Sequence, residues 1–148
     1  MVDTFKMSAS LYLFGQDLEP ADVTEITKVE PSRTQRRADK TIGQASGKTG
    51  EKKLGLWSVG RKMDGSSVSH VVDAAFAEFE TIKESVLDIP GVTAGKLDVF
   101  AVAETPDGRS DCNFRFTPEQ VAKLAKLNVG IEITISSFPK TPVTESEP

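Results

Sequence analysis

The sequence predicts an α+β domain, a mixed, mostly antiparallel sheet of about five strands with three helices in the order β-α-β-α-β-β-α-β. Three observations carry that expectation. Val68, Val71, Val72, Ala75, Phe76, Phe79, Ile82 and Val86 recur at the 3.6-residue rhythm of an amphipathic helix. Thr117-Pro-Glu-Gln120 has the form of a capping box, with proline at the first helical position where a missing N–H is harmless. Val129, Ile131, Ile133 and Ile135 alternate with Gly130, Glu132, Thr134 and Ser136, which predicts a strand with one buried face.

Met7 to Gly15 reads as the first strand, with Leu11, Tyr12, Leu13 and Phe14 supplying two apolar faces. A short helix starts at Pro20, with the acidic Glu19 and Asp22 near its positive end. Val23, Ile26 and Val29 form its core stripe, and Pro31 stops it. Residues 32–53 lack periodicity and hold Gly43, Gly47 and Gly50, which predicts a long basic loop, functional or mobile. Leu54 to Lys62 predicts a strand weakened by Gly55 and Gly60, with Leu54, Leu56 and Ser58 in one phase and Trp57 and Val59 in the other.

The long helix follows Asp64-Gly-Ser-Ser and is expected to run about five turns. Ser66 or Ser67 is its expected cap, and Pro90-Gly91 its end. Lys96 to Thr105 and Asp111 to Phe116 are predicted strands joined by the turn Pro106-Asp-Gly, a hairpin. In the last helix Val121, Leu124, Ala125 and Leu127 make the buried stripe, and Asn128 closes it in a left-handed cap. The domain is expected to span residues 1–138, and residues 139–148, with three prolines, to form a flexible tail.

A chain of 148 residues fits one domain, and 38% apolar with 27% charged residues describes a globular one. No run of about 18 apolar residues is present, which excludes a spanning helix and leaves no membrane partner expected. Met1-Val-Asp-Thr-Phe-Lys lacks the features of a secretory signal, and the lone Cys112 excludes an internal disulfide; both predict a cytoplasmic protein. One cysteine and one histidine leave a zinc site without its usual ligands, so no metal or cofactor is expected.

Charge is distributed unevenly. Nine of the eighteen Lys and Arg residues lie between Arg33 and Lys62, opposed there only by Asp39 and Glu51. That stretch carries +7, so the remainder of a chain of net −4 carries −11. The candidate contact set is therefore Arg33, Arg36, Arg37, Lys48, Lys52, Lys53, Trp57 and Arg61, a surface for an anionic partner. Such residues suit an acidic protein surface, where Arg and Trp are common anchors. They also suit a nucleic-acid backbone, with the indole stacking on a base. The third reading is a solvated loop whose charge balances the acidic helices, with Trp57 in the core.

Gly43-Gln-Ala-Ser-Gly-Lys-Thr49 invites comparison with the phosphate-binding loop GxxxxGK[ST], but Ile42 occupies the first glycine position. The flanks also lack the required strand and helix. His70 falls off the apolar stripe of its helix, and no positioned acid or nucleophile accompanies it. Cys112 shares its phase with Phe114 and Phe116 and reads as a small apolar group. No catalytic residue is assigned, and catalysis is the disfavoured class.

Ser10-Leu-Tyr-Leu-Phe-Gly, Asp17-Leu-Glu-Pro-Ala-Asp-Val-Thr-Glu-Ile, Val29-Glu-Pro31 and Trp57 resemble the opening of the bacterial domain-of-unknown-function family numbered 4279. Phe114-Arg-Phe-Thr-Pro-Glu-Gln-Val-Ala-Lys-Leu-Ala-Lys-Leu-Asn-Val-Gly-Ile-Glu-Ile is similar to that family's closing strand, helix and strand, so the resemblance covers roughly residues 8 to 138. It implies no activity and no catalytic residues. Small bacterial domains of this kind often sit beside toxin or defence genes, which makes a toxin-neutralising immunity protein the specific form of the protein-interaction reading. The alternative is a nucleic-acid or phosphate-ligand binding domain using residues 33–62.

Overall fold

The computed structural model describes residues 5–36, 40–42, 49–51, 54–65, 67–105 and 114–139. Among the described residues the chain runs β1 (Phe5–Gly15), α1 (Pro20–Thr27), β2 (Arg33–Gln35), β3 (Lys40–Ile42), β4 (Thr49–Glu51) and β5 (Gly55–Gly65). It continues with α2 (Val68–Glu78), a 3₁₀ turn (Val86–Asp88), β6 (Ala94–Thr105), α3 (Pro118–Leu127) and β7 (Gly130–Pro139). The result is the expected α+β class with three helices. Five strands form one sheet in the order β2-β5-β1-β6-β7, while β3 and β4 pair as a separate ribbon. All neighbours in the main sheet are antiparallel except β6 and β7.

Strict alternation along β1 sets the layers. Phe5, Met7, Ala9, Leu11 and Leu13 are buried, and they lie beside Trp57 and Val59 of β5 and Leu97, Val99, Ala101 and Ala103 of β6 in the core. Val23 of α1, five residues of α2 and Leu124 and Leu127 of α3 belong to the same cluster, so all three helices cover one side of the sheet. The Trp57 indole Nε1–H donates to Thr24 Oγ1 of α1 at 3.1 Å, which seats that helix over β5. At the end of the pairing Gly15 admits the backbone of Gly91, whose φ is 86°; a Cβ on Gly15 would lie 1.8 Å from the Gly91 carbonyl oxygen.

Several expectations change. The 32–53 stretch holds three strands of three residues each, too short to show a period of two. The long helix ends at Glu78. Beyond it the amide of Phe79 donates to Phe76 O and that of Ile82 to Phe79 O, turns whose three-residue repeat keeps Phe79, Ile82 and Val86 on the core side. Ser67 precedes the helix, but its hydroxyl makes no capping bond, and Ser66 lies outside the described residues. Of the expected second hairpin strand, residues 114–117 form no strand and Phe114 and Phe116 pack partly buried against the core, while the turn and residues 106–113 lie outside the described residues.

Ile26 is 53% exposed because the inward face of α1 is Pro20, Val23 and Thr27; Lys28 takes a left-handed conformation (φ 60°) and closes the helix, so Val29 enters the core from beyond it. Val121 is 54% exposed and Ala125 is exposed as well. The buried place beside Leu124 belongs instead to Gln120, only 2% exposed. Its Nε2 donates to Ser69 O and Ser69 Oγ (both 3.1 Å) and Asp73 Oδ1 (2.8 Å), while Oε1 accepts from the Thr117 amide at 2.9 Å to complete the expected capping box. Asn128 closes α3 in the left-handed cap expected of it (φ 60°).

Gln120 thus does two jobs, capping α3 and tying it to α2. Gln120→Ala is expected to lower stability by about 2 kcal/mol, whereas Val121→Ala should stay within about 0.5 kcal/mol. Urea denaturation of both variants measures the contrast, which is the reverse of what the apolar pattern alone suggests.

Candidate functional site on the uncovered sheet face

The described members of the basic stretch do not converge on one patch. Trp57 is fully buried under α1. Arg61 projects from the helix side of β5 and its Nη1 donates to Glu78 of α2 at 2.8 Å. Arg33 is exposed on β2, and just past it Arg36 Nε lies 3.1 Å from Glu19 Oε1. Arg36 lines a recess of about 580 Å³ together with Glu19, Glu30, Thr24 and Thr34, where two carboxylates offset its charge. Arg37, Lys48, Lys52 and Lys53 lie outside the described residues, as do Cys112 and residues 140–148. His70 is exposed on α2. Among the described residues no group of three His, Cys, Asp or Glu side chains could hold a metal ion, and no helix is long and apolar enough to cross a membrane.

The opposite side of the sheet has a different character. The main core takes only odd-numbered residues from β1, β5 and β6, so the even-numbered ones face away from the described helices; of these Leu56 and Ser58 of β5 are buried, and the rest of the face is open or half-buried. Side by side on that face stand Tyr12 and Phe14, stacked with centroids 6.0 Å apart and planes 9° from parallel. Lys96 Nζ lies 5.7 Å from the Tyr12 ring and 5.8 Å from the Phe14 ring, and it donates to Glu132 Oε2 of β7 at 2.5 Å. The hydrogen bond to Glu132 raises the Lys96 ammonium above its ordinary pKa, with the negative charges of Glu132 and Asp98 adding to it and partial burial opposing.

Farther along the same strands the face opens into a shallow recess of about 440 Å³. Phe100 and Val102 of β6 and Ser8 of β1 line it, and Lys6, Lys62 and Asp64 stand at its rim. Cross-strand register places them together: Ser8 lies between Lys62 and Phe100, and Lys6 between Asp64 and Val102. Phe100 is 38% exposed, a large apolar group that the fold does not need for its core. The two apolar faces read from β1 were a sign of this surface. Phe100 and Val102, in the phase opposite to Leu97 and Val99, were its unread counterpart.

The Lys96–Glu132 pair yields a pH prediction. Because the folded-state pKa of Lys96 is raised, the pair stabilises the fold below the ordinary value of 10.5 and loses that effect as pH rises through the higher folded value. Both side chains are well exposed, so Glu132→Gln is expected to cost only about 0.5 kcal/mol at neutral pH and low salt. Denaturation of wild type and variant across the alkaline range should show the gap closing once Lys96 is neutral.

Neither a curated protein nor a solved structure shows significant similarity to the chain. A family model does, over residues 4–138, a span that contains the whole sheet but for the last residue of β7, all three helices and both faces just described. The chain belongs to the family described as domain of unknown function DUF4279.

Proposed function

We propose that the chain is a protein-interaction module that docks a partner on the uncovered sheet face without catalysing a reaction on it. The supporting observation is the recess floored by Phe100 and Val102 with Lys6, Lys62 and Asp64 at its rim, where two cations outnumber one carboxylate. An apolar floor with two cations at its rim suits an apolar side chain bordered by carboxylates, which keeps the acidic protein surface as the partner class. The basic stretch contributes through Lys62. The nucleic-acid or phosphate-ligand alternative using residues 33–62 loses base stacking on the indole, because Trp57 is buried, and rests on the basic side chains alone. A toxin-neutralising immunity protein is the narrower form of this proposal, and it depends on a gene for a toxic protein lying immediately upstream.

Selection from a displayed random-peptide library tests the proposal, with the Lys6→Glu/Lys62→Glu variant as counter-target. Peptides carrying an aliphatic or aromatic residue between Asp or Glu residues should be enriched on the wild type. The double variant should bind them at least about tenfold more weakly. Equal enrichment on both proteins would refute the site. Steeply salt-dependent binding of 20-nucleotide DNA or RNA by the wild type would favour the nucleic-acid class instead.

A further inference from the structure

The two edges of the sheet are built differently. β2 is three residues long and begins with Arg33, a short, charged edge of the kind that resists pairing. β7 is ten residues long and pairs with β6 from Lys96↔Gly130 to Thr105↔Pro139 without a bulge. Its only charge is Glu132, and its only proline comes at the end. Ile131, Ile133 and Ile135 lie in register with the buried Leu97, Val99 and Ala101, hence on the helix side, yet they remain 43%, 39% and 47% exposed. The alternation that predicted a buried face is present, but no element among the described residues covers it. An isoleucine row beside an open row of backbone donors and acceptors is a surface for strand addition.

We infer that the occupant is a second copy of this chain, with β7 pairing antiparallel to β7 about a two-fold axis through Ile133. The order of residues is self-complementary in that register. Ile133 meets Ile133 of the second copy, Ile131 meets Ile135 and Ile135 meets Ile131, so all three isoleucines pair. Glu132 meets Thr134, and Lys96 within each copy already balances Glu132, so no like charges face each other. Centring on Glu132 would oppose two carboxylates. Centring on Thr134 would set Ile131 against Ser137 and lose a pair. A one-residue slip would place isoleucine opposite the polar face throughout. A charged foreign peptide, by contrast, finds no unbalanced charge along β7 to recognise. Three half-exposed isoleucines and one strand's hydrogen bonds fall short of the roughly 1,000 Å² of a strong interface, so the dimer is a weak, concentration-dependent one.

Sedimentation velocity on the full chain from about 1 to 500 µM tests the inference. A reversible dimer is expected, and Ile133→Lys should weaken it at least about tenfold while the far-ultraviolet spectrum stays unchanged. If that variant unfolds, Ile131→Thr/Ile135→Thr supplies the same readout. In a Cys112→Ser background, Ile133→Cys should form a disulfide-linked dimer under mild oxidation, because the two-fold axis brings the residue against its own copy. Gly130→Cys, about 20 Å from its own copy in this register, should not. A monomer at every concentration, a dimer indifferent to Ile133→Lys, or equal cross-linking from Gly130→Cys would each overturn the inference.

Discussion

β1 is paired along both edges, to β5 from Phe5↔Gly65 to Gly15↔Gly55 and to β6 from Lys6↔Val102 to Phe14↔Ala94. Every other placement depends on that double register. A slip of one residue would turn Ala9, Leu11 and Leu13 out of the core and Ser8 and Ser10 into it. The same register sets Trp57 beside Leu13 and Leu97 beside Leu11, which builds a continuous apolar floor for the helices. α1 then has its place set by the indole–Thr24 bond, and Thr81 ties the segment after α2 to α1 by donating to Thr27 O at 2.7 Å. Close approach of Gly15 to Gly91 lets the return segment lie tight against the end of β1 before β6 begins.

Closing one side of the sheet in this way leaves chemistry to the other side and to the rim. Arg61 shows the distinction: it belongs to the basic stretch in sequence, but its odd phase on β5 sends it to the helix side, where Glu78 engages it. Lys62, one residue later, has the even phase and reaches the open face. A cluster of like charges along a strand is therefore divided between two surfaces, and its total of +7 overstates the field on either.

The parts legible in the sequence were those governed by rules local to a few residues. Thr117 and Gln120 had to satisfy the first amides of α3, Asn128 could take a left-handed cap, and Pro20 fitted the first turn of α1; each stands where the pattern put it. Periodicity was informative about direction and silent about cover. It placed Ile131, Ile133 and Ile135 on one side correctly, but burial also needs something packed on that side, and β7 lies beyond what the helices reach. Gln120 shows the converse error, a polar residue buried because Ser69 and Asp73, 51 and 47 positions earlier, satisfy it. Phe79, Ile82 and Val86 kept a helical rhythm through consecutive turns because the core, rather than the helix, was being read.

The open face and the apolar edge are linked by the symmetry of the sheet. A two-fold axis perpendicular to the sheet at Ile133 joins two five-stranded sheets into one, ordered from β2 through β7 and back to β2 of the second copy. Such an axis keeps both helix layers on one side and both uncovered faces on the other. The two recesses then look the same way, each centred on β1, two strands in from β7, and therefore roughly 25 Å apart across the shared edge. A partner offering two acidic-apolar sites at that spacing gains from both at once, because the second contact forms at a high effective concentration. Weak pairing along β7 is enough for this, since a partner bound across both faces itself holds the two strands together.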